Sequence, residues 1–299
     1  MQQDIFSTDR PLFFSIAYRM LGSASDAEDV LQDAWLRYAA ADRSAIRSPQ
    51  AFATTIVTRL CLDRLKSART TREEYIGPWL PEPVLTREMD DPEGTLQRAE
   101  SVTLAFLVLL EKLSPEERAV FLLKDVFEYG HEEIADILGL SIENSRQLLH
   151  RARARLAAAR PRLNGTAESR RAVAERFARA FASGDAAGLT AMLAHDVSMC
   201  SDGGGKATAA RRPLTGRDVV TNFLVGVHRT AEAAGLTHDA SLTIEDVNSE
   251  PAIIVRVGSR LESIFVLSID DGAISDIRVV RNPDKLARID RTLTGTCGC

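Results

Sequence analysis

Apolar residues recur every three or four positions through most of the first 160 residues. The first segments with this spacing run from Leu12 to Met20, from Ala27 to Tyr38 and from Phe52 to Leu65. Such spacing lines up apolar side chains on one face of a helix, so the pattern predicts a small N-terminal helical domain. Ser25 and Ser48 stand where N-cap residues would begin the second and third helices.

The helical pattern stops between residues 70 and 95. This stretch contains the helix-breaking residues Gly77, Pro78, Pro81, Pro83, Pro92 and Gly94. Proline and glycine favour an extended path, so the segment is predicted to be a linker. Helical spacing resumes near Leu96. Residues 114–117, Ser-Pro-Glu-Glu, predict a capping box at the start of a helix that runs to about Phe127.

Two short helices joined by a turn are predicted between residues 131 and 156. Gly139 takes the turn, Ser141 caps the second helix, and Ala135 is small where the helices cross. The apolar seam between them is assigned to Ile134, Leu138, Leu140, Ile142 and Leu148. The opposite face of the second helix carries Glu143, Asn144, Arg146, Gln147, His150, Arg151 and Arg153. These polar side chains suit base edges and phosphates, so the segment predicts a DNA-binding helix-turn-helix.

Beyond residue 164 the pattern changes to that of an α+β domain. Helices are predicted near residues 168–183, 185–194 and 216–234. Segments rich in Ile and Val then predict strands at Ala252–Val257, Ser263–Ile269 and Ala273–Val280. Residues 270–272, Asp-Asp-Gly, predict a hairpin turn between the last two strands.

The net charge of −5 is distributed unevenly along the chain. Nine arginines and two glutamates lie between Arg146 and Arg176, whereas eight acidic residues and two arginines lie between Glu73 and Glu100. The first stretch suits phosphates and the second repels them. No apolar run is long enough for a membrane span and the N-terminus lacks signal-peptide features, so we expect a cytoplasmic protein.

The cysteine pattern predicts neither a disulfide framework nor a cofactor. Cys61 and Cys200 lie far apart in the sequence, and only Cys297 and Cys299 are close together. Two sulfur atoms on a terminal tail would make a weak metal or redox site, and an idle tail is the simpler interpretation.

Residues 131–156 resemble region 4 of the extracytoplasmic-function sigma factors of bacterial RNA polymerase, which reads the minus-35 promoter element. Ser145 departs from the resemblance, because this position is usually apolar. Residues 25–37 and 48–69 resemble region 2. The resemblance implies polymerase-clamp contacts by Asp29, Gln32, Asp33 and Trp35. It implies contacts near the melted minus-10 strand by Arg59, Asp63, Arg64 and Lys66.

Two further motifs are similar to those of one group in this family, group 41, which includes the sigma J proteins. They are the aromatic and proline-rich segment Tyr75–Pro83 and the segment Asn282–Leu286. The resemblance implies a cone-shaped SnoaL-like, or NTF2-like, C-terminal domain that regulates the sigma modules in cis. We expect the two motifs to lie close together or to touch a common face. The predicted regulatory contacts are Tyr75, Gly77, Pro78, Trp79, Pro81, Asn282, Pro283, Asp284, Lys285 and Leu286.

The SnoaL-like fold also includes cyclases and isomerases, which need a pocket acid or base. The candidates in this domain are His195, Asp196, Asp202 and His228. Every tyrosine and tryptophan lies before residue 164, so the domain has no phenol to stabilise an enolate. We therefore predict no catalytic residues and no enzyme activity, while the identity of any small ligand stays open.

The sequence thus predicts a multidomain chain. All-α sigma modules at 1–69 and 101–163 are joined by an acidic linker at 70–100, and an α+β domain at 168–290 precedes a flexible tail at 291–299. The expected partners are core RNA polymerase, through its β′ clamp and β subunits, and promoter DNA. Two alternatives stay open: a free-standing helix-turn-helix repressor, which would bind duplex DNA unaided, and a cyclase- or isomerase-like enzyme fused to a DNA-binding module.

Overall fold

The computed structural model of the chain describes residues 5–42, 46–73, 75–89, 99–157 and 165–295. The chain divides into two compact units. The N-terminal unit comprises Met1–Glu74, Met89–Val102 and Phe106–Pro161, and the C-terminal unit comprises Tyr75–Glu88, Thr103–Ala105 and Arg162–Cys299. Most of the described linker therefore folds with the C-terminal unit. The helical start predicted near Leu96 and the Cys297 and Cys299 tail lie outside the described residues.

The N-terminal unit begins with helices that follow the predicted apolar pattern. They are α1 (Ile5–Thr8), α2 (Arg10–Leu21), α3 (Ala24–Ala40) and α4 (Pro49–Glu73). The start of α3 differs from the prediction, because Ser23 rather than Ser25 is the N-cap and accepts the Asp26 amide. Ser48 accepts the Ala51 amide at the start of α4, as its position predicts.

The second half of this unit contains α5 (Leu104–Leu110) from Phe106 onward, α6 (Pro115–Phe121), α7 (His131–Leu138) and α8 (Ile142–Leu156). Helix α6 continues into a π-helical turn, Leu122–Val126. The predicted capping box is confirmed, because Ser114 accepts the Glu117 amide while the Glu117 carboxylate accepts the Ser114 amide. Gly139 has a φ of 66° and Ser141 caps α8, so the predicted turn is also confirmed.

The seam between α7 and α8 differs from the predicted one. Ile142 is 38 % exposed, because it opens α8 one turn before the buried stripe of that helix begins. Leu138 and Leu140 are only half-buried. The fully buried residues of the two helices are Ile134, Ala135, Ile137, Ser145, Leu148, Leu149, Ala152 and Leu156.

The C-terminal unit packs helices against a mixed sheet. The helices are α9 (Ala167–Ser183), α10 (Ala186–Met192), α11 (Arg217–Ala233) and α12 (Pro283–Gly295). The strands are β1 (Leu193–Asp202), β2 (Leu214–Thr215), β3 (Ala240–Val247), β4 (Glu250–Val257), β5 (Arg260–Asp270) and β6 (Ala273–Val280). Their order is β2-β1-β6-β5-β4-β3. The α+β class and the three predicted strands are confirmed.

The sheet is antiparallel except at one pair of strands. Strands β1 and β6 are parallel, while the other neighbours are antiparallel. A parallel pair needs a long crossover, which the intervening helix and strands supply. The hairpin between β5 and β6 turns at Asp271 and Gly272, both with positive φ, as its sequence predicts.

The two faces of the sheet have different characters. Val197 and Met199 of β1 join the apolar core that packs against Phe177 and Leu224 of the helices. Side chains alternate along a strand, so Asp202 at the end of β1 lies on the face opposite to this core. The core face is filled with apolar side chains, and the opposite face carries the polar residues described below.

Candidate functional site

The predicted DNA-reading residues lie on the recognition helix α8. Arg146, Gln147 and His150 are exposed, and Asn144 is half-buried in the first turn of the helix. They share the N-terminal half of α8, which is the part of a recognition helix that contacts base edges. Gln147 and Arg146 have the donors and acceptors for bidentate contacts to adenine and guanine.

The other predicted DNA contacts of α8 have carboxylate partners within the same unit. Arg153 donates two hydrogen bonds to Asp125, at 3.0 Å from Nε and 2.6 Å from Nη2. Arg151 Nε lies 3.3 Å from Glu117 Oε1, and Arg155 Nη1 donates to Glu117 Oε2 at 2.6 Å. The basic run is thus partly neutralised by acidic residues of α6 and of the π-helical turn that follows it.

Ser145, where the family usually has an apolar residue, is fully buried. Its hydroxyl lies 2.9 Å from Nδ1 of His131, at the start of α7, which satisfies a polar group that burial would otherwise leave unpaired. Burial and then the positive charge of Lys124 lower the pKa of His131. A neutral imidazole therefore links the two helices of the helix-turn-helix at this point.

The residues of α4 predicted to lie near the minus-10 strand make contacts inside the N-terminal unit. Arg59 donates to the carbonyl oxygens of Ile137 (2.9 Å) and Asp136 (3.3 Å) at the end of α7. Lys66 pairs with Glu116 at 3.1 Å, and Asp63 is exposed. The helix that resembles the minus-10 reader thus contacts the helix-turn-helix.

The predicted polymerase-binding residues share one exposed face of α3. Trp35 is 43 % exposed although it is a large apolar residue, and Asp29, Gln32 and Asp33 are exposed around it. Phe6 and Arg10, which the sequence did not single out, line a cleft of about 480 Å³ together with Asp29, Gln32 and Trp35. Arg64 of α4 lies 3.3–3.5 Å from the carboxylates of Asp26, Asp29 and Asp33. An exposed tryptophan among carboxylates is typical of a protein-binding surface.

The two motifs predicted to be close are joined by the carboxylate of Asp202, which is fully buried. It accepts hydrogen bonds from Tyr75 Oη (2.6 Å), Leu80 N (2.9 Å), Gly204 N (3.0 Å) and Lys285 Nζ (2.7 Å). Asn282 Nδ2 donates to Tyr75 Oη at 2.9 Å. Burial and the neighbouring Asp202 carboxylate raise the pKa of Tyr75, so the phenol stays protonated and donates. We call this set of contacts the linker dock.

The Lys285 ammonium group completes the linker dock. It lies 4.6 Å from the ring centroid of Trp79 and 4.9 Å from that of Tyr75, and it donates to the Leu80 carbonyl at 2.5 Å. A desolvated ammonium against two aromatic faces and a carboxylate is strongly held. This explains why aromatic residues occur among the prolines of the linker.

The second half of the linker lies along the β3–β4 hairpin and α12. Val84 and Asn248 exchange two hydrogen bonds, at 3.0 Å and 2.9 Å, and Leu85 pairs with Val247 as an antiparallel bridge. Glu88 accepts from Thr292 at 2.6 Å and lies 3.5 Å from Arg288. Backbone and side-chain contacts thus hold the linker on the C-terminal unit as far as residue 88.

The remaining predicted regulatory residues differ in their surroundings. Pro81 and Leu286 are buried, and Pro78 is half-buried. Gly77 and Pro283 are exposed, and exposed Asp284 pairs with Lys206 at 2.5 Å rather than with the linker. The sequence missed Asn248, Glu88 and the Asp-Gly-Gly-Gly segment 202–205. The run of glycines in that segment was the available signal.

The candidate catalytic residues do not form a common site. His195 and Asp196 are exposed on β1, and Asp202 belongs to the linker dock. The His228 ring packs against Gly184 at the end of α9. The described residues hold no cluster of three or more His, Cys, Asp or Glu that suits a metal ion. Within the same residues, no helix has the length and hydropathy of a membrane span.

Two family models match this chain. The model for sigma-70 region 2 matches residues 5–71, and the model for sigma-70 region 4 matches residues 103–156. These matches cover both helical modules of the N-terminal unit.

Relatives with known descriptions extend the match to the whole chain. The ECF RNA polymerase sigma factor SigJ of Mycobacterium tuberculosis is 36 % identical over 95 % of this chain and 93 % of its own length. The probable ECF RNA polymerase sigma factor SigI of the same organism is 28 % identical over 96 % of this chain and 95 % of its own. The crystal structure of M. tuberculosis SigJ has a TM-score of 0.74 and 34 % identity, with 94 % of this chain and 97 % of that chain covered. The C-terminal unit is therefore shared with a full-length sigma factor, and this chain belongs to the extracytoplasmic-function sigma factors of RNA polymerase.

Proposed function

We propose that this sigma factor is regulated in cis by its C-terminal unit, which binds the linker between the two sigma modules. As a member of its family, the chain binds core RNA polymerase and directs transcription initiation at promoter DNA. The linker dock carries the regulatory part of the proposal, since the buried Asp202 carboxylate accepts hydrogen bonds from both the linker and the C-terminal motif.

The linker dock has a direct consequence for promoter recognition. The linker starts where α4 ends and leads to region 4, so its path limits the distance between the minus-10 and minus-35 readers. A docked segment has one fixed path, whereas a flexible chain of the same number of residues samples many. Docking therefore changes the effective concentration of one reader once the other has bound. Docking or release of the linker would therefore change promoter occupancy without altering either reader.

The residue roles follow from this function. Exposed Asp29, Gln32, Asp33 and Trp35 are the proposed contacts with the β′ clamp of core polymerase. Asn144, Arg146, Gln147 and His150 are the proposed minus-35 contacts, and α4 is the proposed minus-10 reader. The acidic part of the linker, which includes residues outside the described ranges, suits a basic channel of the polymerase. The protein would act in the cytoplasm, where core polymerase works.

Run-off transcription with core polymerase tests the regulatory proposal, with promoters first selected from genomic DNA by the holoenzyme. Asp202→Asn removes the charge at the centre of the linker dock, and Asp196→Asn, on the exposed side of the same strand, is the matched control. Limited proteolysis reports whether residues 75–88 are released. A several-fold rise in transcription for Asp202→Asn means that docking restrains the sigma modules, and a fall means that docking assists them. Unchanged transcription with a released linker contradicts regulation in cis.

The two alternative functions have less support. A helix-turn-helix repressor would leave the exposed Trp35 face and the linker dock without a role, and it predicts tight binding of duplex DNA by the free protein. The relatives that match the whole chain are sigma factors, so the chain is not an enzyme.

A further inference from the structure

The recognition helix α8 is held on two sides by carboxylates of the helix that precedes the helix-turn-helix. Asp125 binds Arg153 through two hydrogen bonds, and Glu117 contacts Arg151 and Arg155. Residues two positions apart on a helix are separated by about 200° around its axis. Arg151 and Arg153 therefore leave α8 on nearly opposite sides. We call Glu117, Asp125 and these arginines the carboxylate brace.

The two carboxylates are fixed more firmly than the arginines they hold. The side chain of Glu117 is 4 % exposed and that of Asp125 is 11 % exposed, whereas those of Arg151, Arg153 and Arg155 are 51–58 % exposed. Glu117 also accepts the Ser114 amide in the capping box of α6, which fixes its rotamer. The acidic groups thus provide fixed points for the exposed arginine side chains.

We propose that Glu117 and Asp125 are positioning residues for minus-35 recognition, and that Arg153 and Arg155 serve this brace instead of contacting DNA phosphates. The proposal rests on the proposed contact between α8 and the promoter. Successive residues of a helix lie about 100° apart around its axis. A modest rotation of α8 about that axis would therefore move Arg146 and Gln147 away from the base edges. Fixed points on opposite sides resist a roll in both directions.

The salt dependence of promoter affinity distinguishes the carboxylate brace from ordinary phosphate binding. Each phosphate neutralised by a side chain adds about 0.9 to the slope of log affinity against log salt concentration. Loss of an arginine that neutralises one phosphate should reduce that slope by about 0.9. Loss of Arg153 should leave the slope unchanged, since its charge is already matched by Asp125.

The experiment measures promoter binding by the holoenzyme that contains the full chain, between about 50 and 200 mM salt. Arg153→Ala and Asp125→Asn should each weaken binding by about tenfold, equivalent to the loss of one bidentate base contact, at unchanged salt slope. The double variant should bind no more weakly than either single variant. Arg146→Ala, which removes a proposed base contact, is the matched control and should weaken binding by a similar factor. Core-polymerase binding and the thermal unfolding transition show that each variant is folded.

A charge swap keeps the test decisive if a single variant unfolds region 4. Asp125→Arg combined with Arg153→Asp restores the ion pair in reverse and should recover most of the affinity. If Arg153 contacts a phosphate, the swap repels DNA, Arg153→Ala lowers the slope by about 0.9, and Asp125→Asn tightens binding. These results would overturn the carboxylate brace while leaving α8 as the promoter reader. If Arg146→Ala has no effect on promoter binding, the proposed role of α8 fails as well.

Discussion

Each unit of this protein contains a nearly inaccessible carboxylate that accepts several hydrogen bonds. Glu117 in the N-terminal unit has a side chain that is 4 % exposed, and Asp202 in the C-terminal unit is fully buried. The arginines that pair with Glu117 come from a helix fewer than 40 residues away, and their side chains are half-exposed. The linker donors to Asp202 come from 122 and 127 residues away in sequence.

The difference concerns what each carboxylate holds in place. Glu117 orients a helix within a module that has its own apolar core, so its loss would mainly change orientation. Asp202 fixes a linker segment whose only regular element, within the described residues 75–88, is a short 3-10 turn at Thr86–Glu88, so its loss would release that linker. Burial then sets the free-energy cost of losing each carboxylate. Water can replace the lost partner of an exposed arginine, but it cannot do so in the buried linker dock.

The largest predicted effect is a loss of stability when Asp202 is truncated, measured beside the same truncation of Glu117. Asp202→Ala leaves the ammonium group of Lys285, whose side chain is 13 % exposed, without its carboxylate. We expect a loss of about 3–5 kcal/mol in the free energy of linker opening. Glu117→Ala should cost about 1 kcal/mol, because its arginine partners are solvated. Hydrogen exchange of the backbone amides in each unit measures both values. Equal losses would contradict the comparison, and Asp196→Ala, at an exposed site on β1, should change little.

Another buried carboxylate, Glu250 on β4, makes the stability of the C-terminal unit depend on pH. Burial raises the pKa of Glu250 from 4.5 to about 7, although Ser268 donates to it. The folded unit therefore favours the protonated carboxyl group of Glu250. The contribution of this group to the free energy of unfolding is complete below pH 4.5 and is lost as the pH rises to about 7. Glu250→Gln mimics the protonated form, so at pH 8 it should be roughly 2–4 kcal/mol more stable than the natural chain.

Urea unfolding of the C-terminal unit at pH 4 and pH 8 measures the Glu250 effect. The two proteins should have similar stability at pH 4 and differ at pH 8. A parallel pH dependence in both would show that Glu250 does not carry the effect.

The smallest predicted effect concerns the close approach of Gly204 to the linker dock. Gly204 has a φ of 58°, and a Cβ atom there would collide with the Asn282 amide and lie 3.0 Å from Tyr75 Oη. Gly235 has a similar φ of 70° but open space around it. Gly235→Ala should cost about 1 kcal/mol for the backbone alone, and Gly204→Ala about 1–3 kcal/mol more. Similar costs in urea unfolding would show that the dock tolerates a methyl group here.

Local patterns in the sequence predicted the local structure well. The capping box at Ser114, the turn at Gly139 and the hairpin at Asp271 depend on neighbouring residues, so they could be recognised without the fold. The cap of α3 was placed two residues late, because Ser23 and Ser25 are both plausible caps and only the path of the preceding chain selects one. Strand β3 was missed, since as an edge strand it alternates many polar residues with few apolar ones.

The sequence predicted the two motifs of the linker dock but not the contacts that join them. Tyr75 and Lys285 were singled out from their segments, while Asp202, which joins them, was considered only as a candidate acid or base. A buried carboxylate and a catalytic one look alike in sequence, because the side chains that bind Asp202 come from more than 80 residues away. Arg153 was predicted as a DNA contact from its place on the recognition helix, and Arg59 from the resemblance to region 2. The structure pairs them with Asp125 and with the end of α7.

The helical modules, the glycine turn of the helix-turn-helix, the α+β class of the last domain and the motifs that resemble a sigma factor could all be recognised in the sequence. These features follow from periodicity and short-range hydrogen bonding, which act between residues close in the chain. The folded structure was needed to establish which charges are paired, which face of the sheet receives the linker and which unit the linker joins. Those outcomes depend on burial and on donors far apart in sequence, whose proximity exists only after the chain has folded.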